Sequence, residues 1–205
     1  MAYIAADDIM KAKEMDLMTY NMFATTWGVS YLMDTYKIDN VQAATYTGLM
    51  MIGMAVSSVL CPALSDLLKS RKLIFFLISV ESIITWSMVI FGQEIIAARG
   101  LIGAVMIAMG ATQGIIVVFF SGLREINDPG TAGMAVGGPN MIGMAGSAVI
   151  PVITGAFIDE YLAMGITGGL LYRKAFLLCL GLHIVALIVT FFIKETHCKN
   201  IYGQK

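Results

Sequence analysis

The sequence predicts an all-α membrane protein whose six transmembrane helices form a three-plus-three inverted repeat. The expectation rests on a composition too poor in charge for water, on six long apolar runs parted by polar turns, and on a segment that recurs three helices later. Of 205 residues, 58% are hydrophobic and 13% charged, and mean hydropathy is +0.80, whereas a soluble domain carries about 25% charged residues. Lipid is therefore the solvent for most of the chain, and an ordinary cytosolic enzyme is excluded. Thirteen Lys and Arg balance 14 Asp and Glu, without a basic tract to grip nucleic acid. Cys61, Cys179 and Cys198 are odd in number and lack metal-ligand spacing, which makes them free thiols.

A helix needs about 20 mostly apolar residues to cross a bilayer. Stretches 16–33, 43–64, 73–91, 102–120, 131–158 and 175–193 qualify. Span one follows a polar segment, 1–14, which lacks the apolar centre of a cleavable signal and is expected on the cytoplasmic side. Asp34 to Asn40 separate it from span two, and Asp66 to Lys72 separate span two from span three. Span four ends before Arg124 and the turn Asp128-Pro129-Gly130. Span five carries Pro139, which removes a backbone hydrogen bond and should bend it. Span six opens after Arg173-Lys174 and closes the membrane domain, 15–196, ahead of a tail at 197–205. A barrel would need short alternating strands instead. Nine Lys and Arg lie at the ends and in every second loop, against four in the opposite loops. Both termini are thus expected in the cytoplasm, with the protein multi-pass in an inner or plasma membrane.

The recurring segment is Met51-Ile52-Gly53-Met54-Ala55-Val56-Ser57-Ser58-Val59, which returns as Met141-Ile142-Gly143-Met144-Ala145-Gly146-Ser147-Ala148-Val149 with seven of nine positions identical. Spans three and six both open after a basic pair, which sets Glu81 and His183 at matching depths. Copies three helices apart cross the bilayer in opposite senses, as in secondary transporters. Chance is the competing reading, because Met, Gly, Ala and Val dominate all these helices.

Thr25-Thr26-Trp27-Gly28-Val29-Ser30-Tyr31 in span one and Leu64-Ser65-Asp66-Leu67-Leu68-Lys69-Ser70-Arg71-Lys72 after span two together resemble the C-terminal half of a major facilitator superfamily transporter. That family's loop between the second and third helices of each half carries Gly-x-x-x-Asp-Arg-x-Gly-Arg-Arg/Lys. Asp66 and Arg71 keep their places and Lys72 follows directly, whereas Pro62 stands for the Gly and Leu67 for the first Arg. Gly-rich span five and Pro151 to Asp159 resemble the fifth helix of such a half. The resemblance implies a fold of twelve helices in two halves, of which this chain supplies one. It also implies that Asp66, Arg71 and Lys72 form a conformational latch, and that spans one, two, four and five line the solute path.

Asn21, Thr25 and Gly28 lie within about 60° of one another on span one, beside a stripe of Tyr20, Trp27 and Tyr31. Asn21, Thr25, Trp27 and Tyr31 either line a cavity or pack against helices, with Thr25 bonded to its own backbone. Gln113 and Asn140 need partners in hydrocarbon, in a cavity or across helices. Glu81 and His183 are candidates for carrying a coupling proton, although the resemblance puts their spans on the outside of the half. Gly110 to Gly114 and Gly133 to Gly137 are Gly-x-x-x-Gly motifs, from which close packing of spans four and five is expected. Metal-ligand sets, cofactor motifs and catalytic constellations do not occur. The expected function is half of a secondary active transporter that moves a small polar solute by alternating access and needs a second six-helix half, from itself or another chain. The alternative is a non-transporting membrane module, either a truncated product or a regulatory or assembly subunit.

Overall fold

The computed structural model describes residues 2–128, 132–193 and 195–199, with side chains from residue 11 onward except those of 132–136, 138 and 139. The Asp128-Pro129-Gly130 turn, the bend expected at Pro139, the contact expected at Gly133 and the last residues of the tail lie outside the described residues. In chain order the helices are α1 (Ala2–Met22), a π-helical turn (Phe23–Trp27), α2 (Gly28–Tyr36), α3 (Asn40–Leu68), α4 (Arg71–Phe91), α5 (Gln93–Arg99) and α6 (Ile102–Ala111). A 3-10 turn (Thr112–Gly114), α7 (Ile115–Ile126), α8 (Ala132–Ala163), α9 (Gly169–Ala175) and α10 (Leu177–Thr190) follow.

Local chemistry places the ends. Asp39 accepts from the Gln42 amide at 2.8 Å to start α3, and Ser70 accepts from the Leu73 amide at 3.1 Å to start α4, each satisfying an orphan donor. Gly100, with φ of 62°, takes the left-handed turn that stops α5. Among the described residues, five helices are long and apolar enough to cross a membrane: Asn40–Leu68, Arg71–Phe91, Ile102–Ile126, Asn140–Ala163 and Gly169–Thr190. The chain is a multi-pass helical membrane protein. Expected spans two to six fall on these five. Span one falls on a helical run over 2–36 that is not among them, because α1 carries Lys13, Glu14 and Asp16 and α2 has only 9 residues. Segment 2–14 is itself helical and enters span one without a break, and Ala12, Lys13 and Glu14 are buried.

Close backbone approach joins α3 to α6. A Cβ on Gly53 would stand 1.9 Å from the Ile107 carbonyl oxygen, and one on Gly110 would stand 1.9 Å from that of Met50. Only hydrogen fits at either place, which lets the two backbones touch. This corrects the expectation for spans four and five. Gly110 and Gly114 face α3, where Met50, Ser57 and Cys61 meet them, and a Cβ on Gly137 would meet nothing within 4 Å. Sequence spacing shows that a helix has a small-residue face but does not say which neighbour covers it.

The interior divides into two apolar clusters with polar side chains between them. One cluster holds Met22, Trp86, Met109 and Cys179; the other holds Ala12, Ile78, Ile115 and Ala186. Between those positions lie Asp16 and Thr19 on α1, Ser82 and Thr85 on α4, Thr112 and Gln113 in the 3-10 turn, and His183 on α10, all buried. Four helical segments thus place their polar residues at one level.

Alternate connections meet at each end. At one, Arg71, Glu125 and Thr196 are in contact. At the other, Tyr172 donates to Asp34 at 2.8 Å and Gln93 donates to the Gly169 carbonyl at 3.2 Å.

Substituting Gly53 or Gly110 by Ala should destabilise the protein by about 1–3 kcal/mol, because the backbones must separate. Gly181→Ala, with open space around it, should cost nothing. Thermal unfolding in mild detergent checks all three.

Candidate functional site

The polar layer is built outward from Asp16. Residues 16 and 19 share one face of α1 because they are three apart. Asp16 Oδ1 accepts from the Ser82 hydroxyl at 2.9 Å and meets His183 Nε2 at 3.1 Å. Its Oδ2 accepts from the Gln113 amide at 3.1 Å. His183 Nδ1 faces the Cys179 carbonyl at 2.8 Å, a group that only accepts, so that nitrogen carries a proton. Thr19 donates its hydroxyl proton to the carbonyls of Met15 and Asp16, each at 3.1 Å, and its oxygen stands 3.3 Å from His183 Nε2. Nε2 faces Asp16 Oδ1, and the two groups share the hydrogen bond between them, with the Thr19 oxygen alongside.

His183 and Gln113 are each 1% exposed and Asp16 3%. Trp86 covers the imidazole, with ring centroids 5.8 Å apart. A pair of ionisable groups this deep is tolerated because Asp16 also accepts from Ser82 and Gln113 and His183 also donates to the Cys179 carbonyl. One atom is left over: Gln113 Oε1 is buried without a hydrogen-bond partner, an acceptor beside the pair that can take a further donor. Glu81 accepts from Thr85 at 2.8 Å and lies within electrostatic reach of Asp16. Next along α1, Lys13 pairs with Glu14 at 2.9 Å, and its ammonium sits 5.1 Å from the centre of the Phe119 ring.

Of the expected solute-path residues, Gln113 enters the polar layer. Asn21 donates to Ser147 across to α8 at 3.0 Å, and Trp27 donates to the Pro151 carbonyl at 3.1 Å. Thr25 is exposed and bonds its own helix at Asn21, and Asn140 is exposed on α8. Tyr31 is buried in an aromatic cluster with Phe23, Tyr36, Tyr172 and Phe176, and its hydroxyl donates to the Val89 carbonyl at 2.9 Å. Tyr31 therefore braces one end of the bundle.

Asp66 and Arg71 meet at 2.8 Å, while Lys72 donates to the Phe191 carbonyl at 2.6 Å. Two carboxylates join them that sequence reading did not single out. Glu125 pairs with Arg71 at 2.7 Å and accepts from Thr196 at 2.5 Å. Glu195 sits at the N-terminus of α4, accepting from the Ser70 hydroxyl, from the Arg71 amide at 2.9 Å and from the Lys72 amide at 3.2 Å. An anion is favoured there by the helix dipole and by the free amides. Partial burial pushes the Glu195 carboxyl up, but the bonds from Ser70 and from the Arg71, His197 and Lys72 amides outweigh it and hold the group below its ordinary 4.5. Asp16 escaped notice because a charge beside an apolar run reads as the run's boundary. Glu195 carried a weak signal, as an acid placed just past span six with a serine-capped helix start elsewhere in the chain. Among the described residues, His, Cys, Asp and Glu form no group of three able to hold a metal ion.

Breaking the buried pair should be costly. Asp16→Asn or His183→Gln should each destabilise the protein by about 3–5 kcal/mol, and the double variant should cost less than the sum; a double-mutant cycle of unfolding in detergent measures the coupling. Glu195 has a depressed folded value, so its stabilisation is complete above pH 4.5 and is lost as pH falls through that lower value. The stability gap between the wild type and Glu195→Gln should therefore be widest near about pH 7 and close in acid, as followed by unfolding across a pH series.

Compared with known proteins, the chain matches no family model, and no curated protein is significantly similar to it.

Proposed function

We propose that the chain is one half of a secondary active transporter of the major facilitator type, moving a small polar solute by alternating access in company with a second six-helix half. The observation that carries this reading is the Asp16–His183 pair, held with Ser82, Gln113 and Thr19 between two apolar clusters. An ionisable pair at membrane depth is expensive and points to function. It is also suited to coupling: one proton added to Asp16, or removed from His183, turns a matched pair into a single buried charge that forces the surrounding helices to repack. This reading gives His183 the proton with Asp16 as its partner, and makes Glu81 a neighbour.

The packing supports a three-plus-three plan. If span one corresponds to span four, two to five and three to six, the close α3–α6 contact should have a counterpart in α8 against α1, and α1 does pack most extensively on α8 and α10. Gly53 touches Ile107 on α6, and its repeat partner Gly143 faces Glu14 on α1. Spans one and four each carry a break in the α-helical pattern, the π turn at Phe23–Trp27 and the 3-10 turn at Thr112–Gly114, as discontinuous transporter helices do. In this plan the run 2–36 supplies the sixth crossing, and both termini lie in the cytoplasm by the distribution of Lys and Arg. The cluster of Asp66, Arg71, Glu125 and Glu195 ties two connections and the segment after Ile193 together at one end, the work of a latch that opens once per cycle.

Vesicles containing the chain and a trapped pH dye test the reading. With a proton gradient imposed, at least one member of a panel of sugars, amino acids and organic acids should dissipate it with the wild type and at least tenfold more slowly with Asp16→Asn. Crosslinking in native membrane should trap a second half. A chain that stays alone and a gradient indifferent to every solute would leave the non-transporting module as the correct reading.

A further inference from the structure

A cleft of about 370 Å³ opens among α3, α4 and α6, beside the polar layer. Its mouth is made of Leu60, Leu64 and Leu77, all about half exposed. Ser57, Cys61 and Glu81 supply the polar groups of its lining, which is otherwise aliphatic. The volume is that of a site for a drug-sized molecule. Among the described residues, the hydrogen bond to Glu81 comes from Thr85 and goes to Oε1, leaving Oε2 without a protein donor. Asp16, another carboxyl group, lies within electrostatic reach, and Lys13 is committed to Glu14.

We propose that this cleft binds a lipophilic organic cation, seated on the aliphatic walls with its charge against Glu81. A carboxylate in such surroundings calls for positive charge. A hydrated metal ion does not meet the need, since calcium takes six to eight oxygens and the lining offers Glu81 and the Ser57 hydroxyl. A lipid acyl chain fills the walls but leaves the carboxylate unmatched. An amine or phosphonium with an apolar body satisfies both, and the leucine mouth admits it from the bilayer side. The site concerns equilibrium binding and stands whether or not the chain transports.

The probe is methyltriphenylphosphonium, with triphenylphosphine oxide as a neutral molecule of similar bulk, in equilibrium dialysis against the full chain in lipid nanodiscs. The cation should bind saturably, at least tenfold more weakly to Glu81→Gln, and the neutral analogue should not displace it. Leu60→Trp, which narrows the mouth and leaves Glu81 in place, should weaken binding to a similar degree. In a Cys198→Ser background the cation should slow maleimide labelling of Cys61. If Glu81→Gln fails to fold, the Leu60→Trp and Cys61 measurements decide. Equal binding by wild type and Glu81→Gln, displacement by the neutral analogue, or unprotected Cys61 with unchanged binding to Leu60→Trp would overturn the proposal and make the cleft a seat for lipid.

Discussion

The structure turns on the contact between Asp16 and His183. Two ionisable groups in the middle of an apolar bundle are tolerated only when they pair with each other and with neighbouring hydrogen-bond donors, so the register of α1, α4, α10 and the 3-10 turn is set by the bonds that Ser82, Gln113 and His183 make to Asp16. Sliding α1 by one residue would move Asp16 out of reach of Ser82, Gln113 and His183 at once and strand a carboxylate in hydrocarbon. Apolar packing alone tolerates such slips more readily, because Leu, Ile and Met substitute for one another along a lipid-facing helix. The polar layer thus acts as a register mark.

Two other devices hold the helices around that layer. Where α3 meets α6, glycines bring backbones into contact, and dispersion acts over a broad surface without side chains to order. At the end marked by Arg71, charge-assisted hydrogen bonds link the start of α4, the end of α7 and the residues after Ile193. The first device is permanent, since no side-chain rotation undoes it. The second is reversible, because it depends on ionised groups within reach of water.

Much of the architecture was legible in composition. Five of the six apolar runs coincide with helices able to span a bilayer, since length and hydropathy are local properties that lipid reads directly. Thr25 bonds the Asn21 carbonyl of its own helix, and Tyr31 lies in the core. Helical angle says which residues share a face but leaves open what covers it. The same gap explains Gly110, whose partner is α3, and Glu125, whose partner Arg71 is 54 residues away.

The amino-acid sequence by itself determined that this is a helical, multi-pass membrane protein, because burying so few charges among so many apolar residues has few solutions in water or in lipid. Tertiary structure alone decided that Asp16 belongs to the interior. A carboxylate at the edge of an apolar run is a boundary when water lies beside it and a centre when an imidazole does, and only the packing of α1 against α10 distinguishes the two.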